Sequence, residues 1–498
     1  TLFLTHFYSE EFTICHVLNN SRHVNKFNVP QYTEGVYSSL YYEGAFNEGG
    51  FLKTIFSRPI GRNTNLIFSY DNLSSQGFYS YQKNKYSRLY LAVDMLNGEK
   101  PYSLFFSFFS INSDYQQNGG IVNYDSSIST DLMETKLSTA NTFIKQREIK
   151  ISHQYNFDIF NILKHEFSIS SFNRNYLDPS SLTLQGDTLK NFFNYFENTI
   201  SASIKYLTFA LNHMSYKTDN IVNTGNPIND FFIVLRNSDY KIFKRNFKFK
   251  LSYCPVGYRK KNYQFFINFT KKNINHQHDI RLDHYDKKPN FYTVNSFDSL
   301  YPNWINFNSI NFTSIKFNTI WFPRNIVTGV KISRYVNYTF FDEMMYPNQF
   351  ENPLFYIDFR LEKKWKFKHI SIQSSLVAQY SDNKVISYPN ILTHQYIKYN
   401  FDILDGVDLI SSLNLYIFSR YYNHLYSPDL DLFYLQFSKR NKFNPHVNAD
   451  FFLQKNNFQI GILCDYISTI FSKKQYFVDS YILPNPIFRL SIKWSFLD

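Results

Sequence analysis

The sequence predicts an all-β fold, a single transmembrane antiparallel up-and-down β-barrel of about 20 strands with 16–22 as the range. Three observations predict it. Apolar and polar side chains alternate with period two along many segments. Those segments are often ten residues or longer. The connections between them alternate between short and long.

The final segment shows the alternation most clearly. Phe488, Leu490, Ile492, Trp494 and Phe496 fall on one face, and Arg489, Ser491, Lys493 and Ser495 on the other. Phe247, Phe249, Leu251 and Tyr253 are set in the same way against Lys248, Lys250 and Ser252, and Phe355, Ile357, Phe359 and Leu361 against Tyr356, Asp358, Arg360 and Glu362. A further copy sets Ile370, Ile372, Ser374, Leu376, Ala378 and Tyr380 against Ser371, Gln373, Ser375 and Gln379. Successive side chains of a strand point to opposite faces, so this pattern suits a sheet with lipid on one side and water on the other. A β-sandwich alternates too, but strands in globular proteins average about five or six residues, whereas a tilted strand needs about 9–11 to cross a bilayer.

The connections argue the same way. Short ones are expected around Ile60–Asn63, Asn97–Lys100, Lys205–Thr208, Pro255–Gly257, Phe322–Asn325, Lys363–Lys366, Leu404–Gly406 and Lys455–Asn457. Between them fall the longer Ser74–Tyr86, Asp114–Phe143, Leu177–Phe193, Lys217–Arg245, Lys271–Asn303, Asn337–Pro353, Asp382–Leu392, Tyr421–Asn444 and Ser472–Pro486. Barrels of this kind join their strands by short periplasmic turns and long extracellular loops, and an even strand count puts both termini on the periplasmic side. The barrel is expected over residues 35–498. Residues 1–34 fit the pattern poorly and read as a periplasmic lead-in or an irregular first strand.

Composition bounds the alternatives. The chain carries 54 Phe, 41 Tyr and 4 Trp, which favour strands and form the interfacial girdles of barrels. Phe, Tyr, Asn, Ile and Lys are enriched together, as an AT-rich coding sequence would make them, so the positions of the aromatics weigh more than their number. No run approaches the roughly 18 apolar residues of a membrane-spanning helix. The mean hydropathy of −0.36 suits a barrel, since only alternate residues meet lipid. Cys15, Cys254 and Cys464 form neither a disulfide framework nor a metal pattern and read as passive thiols. The chain starts at Thr1 without a basic n-region and apolar h-region, and a secretion signal is expected to have been removed or truncated. The net charge of +12 reads as solvated turns and loops.

Lipid offers no hydrogen-bond partner, so each spanning strand must pair on both edges and only closure removes the last edge. The last strand therefore completes the barrel. Its face of Phe488, Leu490, Ile492, Trp494 and Phe496 reads as the signal taken up by the outer-membrane assembly machinery, although Leu497 and Asp498 follow where many barrels end on Phe.

Several segments carry a resemblance. They are Ser69-Tyr70 with Ser75-Gln76-Gly77-Phe78-Tyr79, Asn118-Gly119-Gly120-Ile121, and Gln146-Arg147 leading to His153-Gln154-Tyr155-Asn156-Phe157, with the final Phe488–Phe496. In order and spacing, from about residue 36 to the C-terminus, they resemble the putative porin family of Bacteroidetes. The resemblance implies a single-domain barrel in the outer membrane of a Gram-negative bacterium, with a porin-like transport role and no particular solute.

A porin needs a lumen lined by polar and charged side chains, often narrowed by an infolded loop. Alternation nominates Glu148, Lys150, Lys248, Lys250, Lys331, Asp358, Arg360, Glu362, Asp450, Arg489 and Lys493 for that lining, and the excess of bases predicts a mild anion preference. Loops Asp114–Phe143 and Lys271–Asn303 are the candidate constrictions. The second holds His276, His278, Asp279, Arg281, Asp283, His284 and Asp286, which could ligate zinc by residue type, but a solvated surface is the expected reading and no metal or other cofactor is expected. The chain is not expected to be an enzyme, because no G-x-S-x-G, phosphate-loop or dinucleotide motif occurs. Nucleic-acid binding is not expected either, because the aromatics sit on the strand face opposite the lysines.

The expected role is passive diffusion of small hydrophilic solutes, with membrane lipid, lipopolysaccharide and the assembly machinery as partners. The alternative is a loop-plugged barrel acting as adhesin, scaffold or partner of a surface complex. An active, TonB-dependent transporter is disfavoured because no plug domain precedes the strands.

Overall fold

In a computed structural model, the structure describes residues 35–45, 49–61, 63–95, 101–125, 127–157, 161–179, 188–218, 227–237, 240–242, 245–289, 307–441, 445–471 and 476–497. The lead-in expected over residues 1–34 and the turn expected at Asn97–Lys100 lie outside them.

The chain closes into a barrel. Its strands are β1 (Tyr37–Ala45), β2 (Gly49–Ile60), β3 (Thr64–Ser75), β4 (Asn84–Met95), β5 (Tyr102–Gln116), β6 (Asn141–Asn156), β7 (Asn161–Leu177), β8 (Thr188–Ile204) and β9 (Leu207–Thr218). They continue with β10 (Ile228–Asn237, prolonged by Tyr240–Ile242), β11 (Arg245–Val256), β12 (Tyr263–Lys272), β13 (His276–Lys287), β14 (Ile310–Trp321), β15 (Ile326–Val336), β16 (Leu354–Lys366) and β17 (Ile370–Ser381). The last are β18 (Ile391–Leu404), β19 (Val407–Phe418), β20 (His446–Lys455), β21 (Phe458–Asp465) and β22 (Ile487–Leu497). Each pairs antiparallel with its neighbours in sequence, and β22 pairs with β1 from Tyr37↔Leu497 to Ala45↔Arg489, so the sheet has no free edge. No α-helix occurs among the described residues.

The barrel therefore has 22 strands where the sequence predicts about 20. Two strands lie where loops are expected. β10 falls inside Lys217–Arg245, hidden because Phe231, Ile233 and Leu235 alternate with Phe232 and Val234, so both faces are apolar. β13 falls inside Lys271–Asn303, where histidines take the lipid-facing positions beside a charged inner face. Every strand crosses the wall, so an added strand sends the next connection to the other rim. Pro255–Gly257, expected among the short turns, consequently lies at the rim of the long loops. Likewise Lys363–Lys366, expected as a turn, completes β16.

The two faces sort as a membrane wall requires. Ile315, directly opposite Ile332, faces outward, the two being 55% and 50% exposed. Ile332 is in turn opposite Ile357, which is also exposed. Ser57, Asn65, Ser314, Ser333 and Ser412, on the inner face, are buried. Near the turn end the outer face carries Tyr155, Phe322, Trp365, Phe401, Trp494 and Phe496. Near the loop end it carries Tyr42, Phe143, Tyr253, Phe355 and Phe488. From Phe355 to Trp365 a strand tilted by roughly 40° rises about 25 Å, the height of the apolar band of such barrels.

Closure is held by charge as well as by backbone pairing. Arg489 of β22 forms ion pairs with Glu43 of β1 and Asp465 of β21, so one guanidinium ties three strands across the seam where the chain's ends meet. Removing one member of such a group leaves its partners uncompensated. Arg489 is partly exposed, which screens the cost. We expect Arg489→Gln to destabilise the barrel by about 1–3 kcal/mol. On a denaturing gel the unheated, folded form should be lost at a lower temperature than in the wild type, and an unchanged transition would show that the backbone pairing of β22 suffices.

Candidate functional site: the lumen and its mouth

The structure distributes the nominated lining residues around the inner face. Glu148 and Lys150 flank the exposed Ile149 on β6, and Lys150 lies 3.9 Å from Glu166 of β7, which also pairs with Lys164 at 3.0 Å. Lys248 and Lys250 share the inner face of β11. Lys331 of β15 stands opposite Asp358 of β16, whose Oδ1 accepts from Arg360 Nε at 3.1 Å, and Glu362 follows on the same face. Asp450 of β20 accepts from Ser412 Oγ at 2.8 Å. Arg489 sits in the seam, and Lys493 is exposed one turn of the pleat below Ser491. Of the nominated residues, Lys250, Lys331, Asp358 and Arg360 line one cavity of the inner wall. Phe488, Leu490, Ile492, Trp494 and Phe496 lie on the outer face of β22, away from all of these.

Several inner-face charges escape a reading of single strands. Arg281 and Asp283 of β13 form a two-bond ion pair at 2.7 and 2.8 Å. Lys316 of β14 lies directly between Arg281 and Lys331 in the register. The histidines of β13 point to the opposite face: His278 and His284 hydrogen-bond Thr319 and Thr313 of β14, on the outer side of the wall. A strand therefore separates His276, His278 and His284 from Asp279, Arg281 and Asp283, and they cannot meet around one ion.

At the loop end the lumen is not open water. Inward-facing Phe312, Tyr335, Leu354 and Tyr356 pack with Phe340, Ile386 and Leu435 from three different loops into one apolar core. A second core joins Tyr79, Ile121, Met133 and Ile482 from three others. Two of the family-like segments meet here. Gly120 (φ 86°) approaches so closely that a Cβ would stand 2.7 Å from Ser480, and Ile121 N donates to Ser480 O at 2.8 Å. Only a residue without a side chain fits that approach. Tyr79 OH donates to Ile482 O alongside.

The segment between β19 and β20 does the most. It carries a small hairpin, Leu425–Ser427 paired with Leu432–Tyr434, and leans across the mouth to β7, almost half the circumference away. There Arg174, 0% exposed, donates through Nη1 to Asp429 O at 2.7 Å and through Nη2 to Pro428 O at 2.5 Å, with Asp431 Oδ2 4.0 Å from Nε. Tyr426 OH donates to Asp431 Oδ1 at 2.8 Å. Asn423 and His424 bind the β21–β22 loop: Asn423 Nδ2 donates to Tyr476 O, and His424 O accepts from Asp479 N. The sequence expects a long loop here but nominates others as constrictions, because an Arg174–Asp431 pairing leaves no local trace in either segment.

Burial in this layer pushes the His424 imidazole down to about 4 from 6.5. The sign follows directly. The folded layer holds the neutral ring, so its packing is unaffected above pH 6.5 and loses about 1.4 kcal/mol per pH unit as pH falls from there towards 4. Proteolysis of the β19–β20 loop should therefore accelerate between pH 6.5 and 4, and His424→Gln should abolish that acceleration. A wild-type rate flat over this range would refute it.

The family model described as putative porin matches residues 31–498. The chain belongs to the putative porin family. With a lipid-facing outer wall and this membership, its place is the bacterial outer membrane. Among solved structures, this family member resembles the copper transporter OprC, at a TM-score of 0.70 and 9% identity over 93% of this chain and 80% of that one. It also resembles the siderophore receptor PirA from Acinetobacter baumannii, at 0.68 and 10% over 93% and 81%. The ferric enterobactin receptor PfeA from Pseudomonas aeruginosa follows at 0.66 and 10% over 93% and 80%. At such identity the likeness concerns the barrel fold alone. No curated protein matches the sequence.

Proposed function

We propose that this protein is an outer-membrane channel for passive diffusion of small hydrophilic solutes, with a mild anion preference and a mouth narrowed by the β19–β20 loop. The observation that carries this reading is the inner face, where polar and charged side chains alternate around a 22-strand wall with apolar ones facing lipid. A barrel of that size is wide enough for an aqueous passage. In this orientation the short turns face the periplasm and the loop layer faces outward towards lipopolysaccharide, and the outer face of β22 serves the assembly machinery. Diffusion needs no catalytic group and no cofactor.

The packed loop layer favours a second reading, in which the mouth is sealed and the protein acts as a surface adhesin, scaffold or partner of a complex. Conductance of the purified protein in planar bilayers separates the two. Stepwise currents with a reversal potential displaced towards anion selectivity support the channel, and silent bilayers at a concentration where the folded barrel has inserted support the sealed form.

A further inference from the structure

The lipid-facing side of the wall differs from one flank to the other. On β16 the apolar band runs from Trp365 at the turn end to Phe355. The same number of residues separates Ile370 from Tyr380 on β17 and Phe401 from Ile391 on β18. Phe355, Tyr380 and Ile391 are aromatic or aliphatic, and all are exposed. An equal span above the outward Met95, Tyr102, Tyr155 and Leu163 brings β4–β7 instead to Lys85, Asn112, Lys145 and Asn173. Arg147 stands one outward position below Lys145, and both are exposed. Beneath this polar level lie the exposed Leu91, Phe106, Ile149 and Ile169. β6 and β7 run for 16 and 17 residues, against 12 for β17, so on this flank the wall rises past the apolar band to the height of lipid headgroups.

The polar level is also hollowed. A groove of about 510 Å³ opens here, with Lys85, Asn112, Asp114, Phe143, Lys145 and Asn173 on its outward lining. Asp114 is the carboxylate of that lining; it stands opposite Lys85 and Phe143 and accepts from Asn141 Nδ2 at 3.1 Å. Directly opposite Lys145 are Asn112 and Asn173, and directly opposite Arg147 are Ser110 and Ser171. Neutral donors therefore flank both cations, and among the described residues no ion pair engages either.

We propose that this outer face of β4–β7 binds a phosphorylated glycolipid of the outer leaflet, its phosphate held by Lys145 and Arg147 and its acyl chains laid on the apolar residues beneath. Guanidinium supplies paired donors to phosphate oxygens, and ammonium a compact charge. Alternate residues of a strand are about 6.7 Å apart, so the two long side chains reach one phosphate group together. A soluble anion would meet the same cations, but only an amphiphile also covers the apolar wall directly below them. The attraction strengthens there as the dielectric of the surroundings falls. The inference goes beyond the channel reading and shares with it only the orientation, loops outward.

The probe is diphosphoryl lipid A, titrated into the full-length protein in detergent and read as retained adducts by native mass spectrometry. One tightly held copy is expected, and the fully dephosphorylated lipid should bind at least tenfold more weakly. K145Q/R147Q should weaken lipid A binding by roughly tenfold or more, since a charge-assisted contact is worth about that factor. Its unheated gel migration should match the wild type, because neither cation holds a carboxylate of the wall. Arg334→Gln, an exposed outward cation near the loop end of β15, should weaken binding less than twofold. Wild-type affinity in K145Q/R147Q, an equal loss in Arg334→Gln, or displacement of the lipid by equimolar inorganic phosphate would overturn the proposal. Lipid A binding by a barrel that is silent in planar bilayers would reject the channel and leave this site.

Discussion

Arg174→Ala should raise single-channel conductance severalfold and make the current noisier, while leaving the barrel folded. The guanidinium sits on β7, wholly buried, and the backbone oxygens it serves belong to a loop rooted on the far wall. Hydrogen bonds to a charged group are worth about 1.5–3 kcal/mol each, and truncation also leaves Asp431 buried without its cation, so about 3–5 kcal/mol of loop anchoring should go. That exceeds what a surface hairpin retains by itself, so the loop should leave the mouth for much of the time. Arg174→Lys should give an intermediate conductance, since an ammonium keeps the charge but lacks the planar fork whose two nitrogens serve the two carbonyls. Planar-bilayer recordings of the three proteins, with gel migration of unheated samples to verify folding, provide the test. An unchanged conductance in Arg174→Ala would mean that the β19–β20 loop does not limit the passage.

An equally large effect, on assembly, is expected from Val330→Arg. Val330 lies in an outward row with Phe317 and Phe359, near the middle of the span between the aromatic belts marked on β16 by Phe355 and Trp365. A charged side chain on the lipid face near the midplane of such a barrel costs about 2–4 kcal/mol. The side chain is short of both interfaces, so snorkelling offers little relief. Most of the protein should fail to reach the heat-modifiable form on refolding into vesicles, whereas Val330→Ile should refold as the wild type does. Normal refolding of Val330→Arg would mean that this face does not meet lipid, and the orientation of every strand would have to be reversed with it.

The face assignment behind that test is already legible in the chain. Phe355, Ile357 and Phe359 against Tyr356, Asp358 and Arg360 is a local, period-two statement, and the pleat converts it into outside and inside whatever the neighbours are. Closure follows from the same pattern, because lipid leaves no partner for an open edge. Where the pattern blurs, the reading fails: β10 is apolar on both faces, and β13 carries histidine where leucine or phenylalanine would have announced a strand. Missing those two moved one hairpin to the wrong rim and hid Arg281 in a supposed loop.

What the sequence alone determined about this protein is thus a closed wall, its two faces and its final strand, since each depends on residues one or two positions apart. Only the tertiary structure decided which charges stand side by side and what crosses the mouth. The neighbours of Lys316 are set by the register of three strands, and Arg174 meets Asp431 only because a 22-strand circle brings β7 opposite the β19–β20 loop. Such contacts join residues far apart in the chain through the curvature of the sheet, and no periodicity within either segment encodes them.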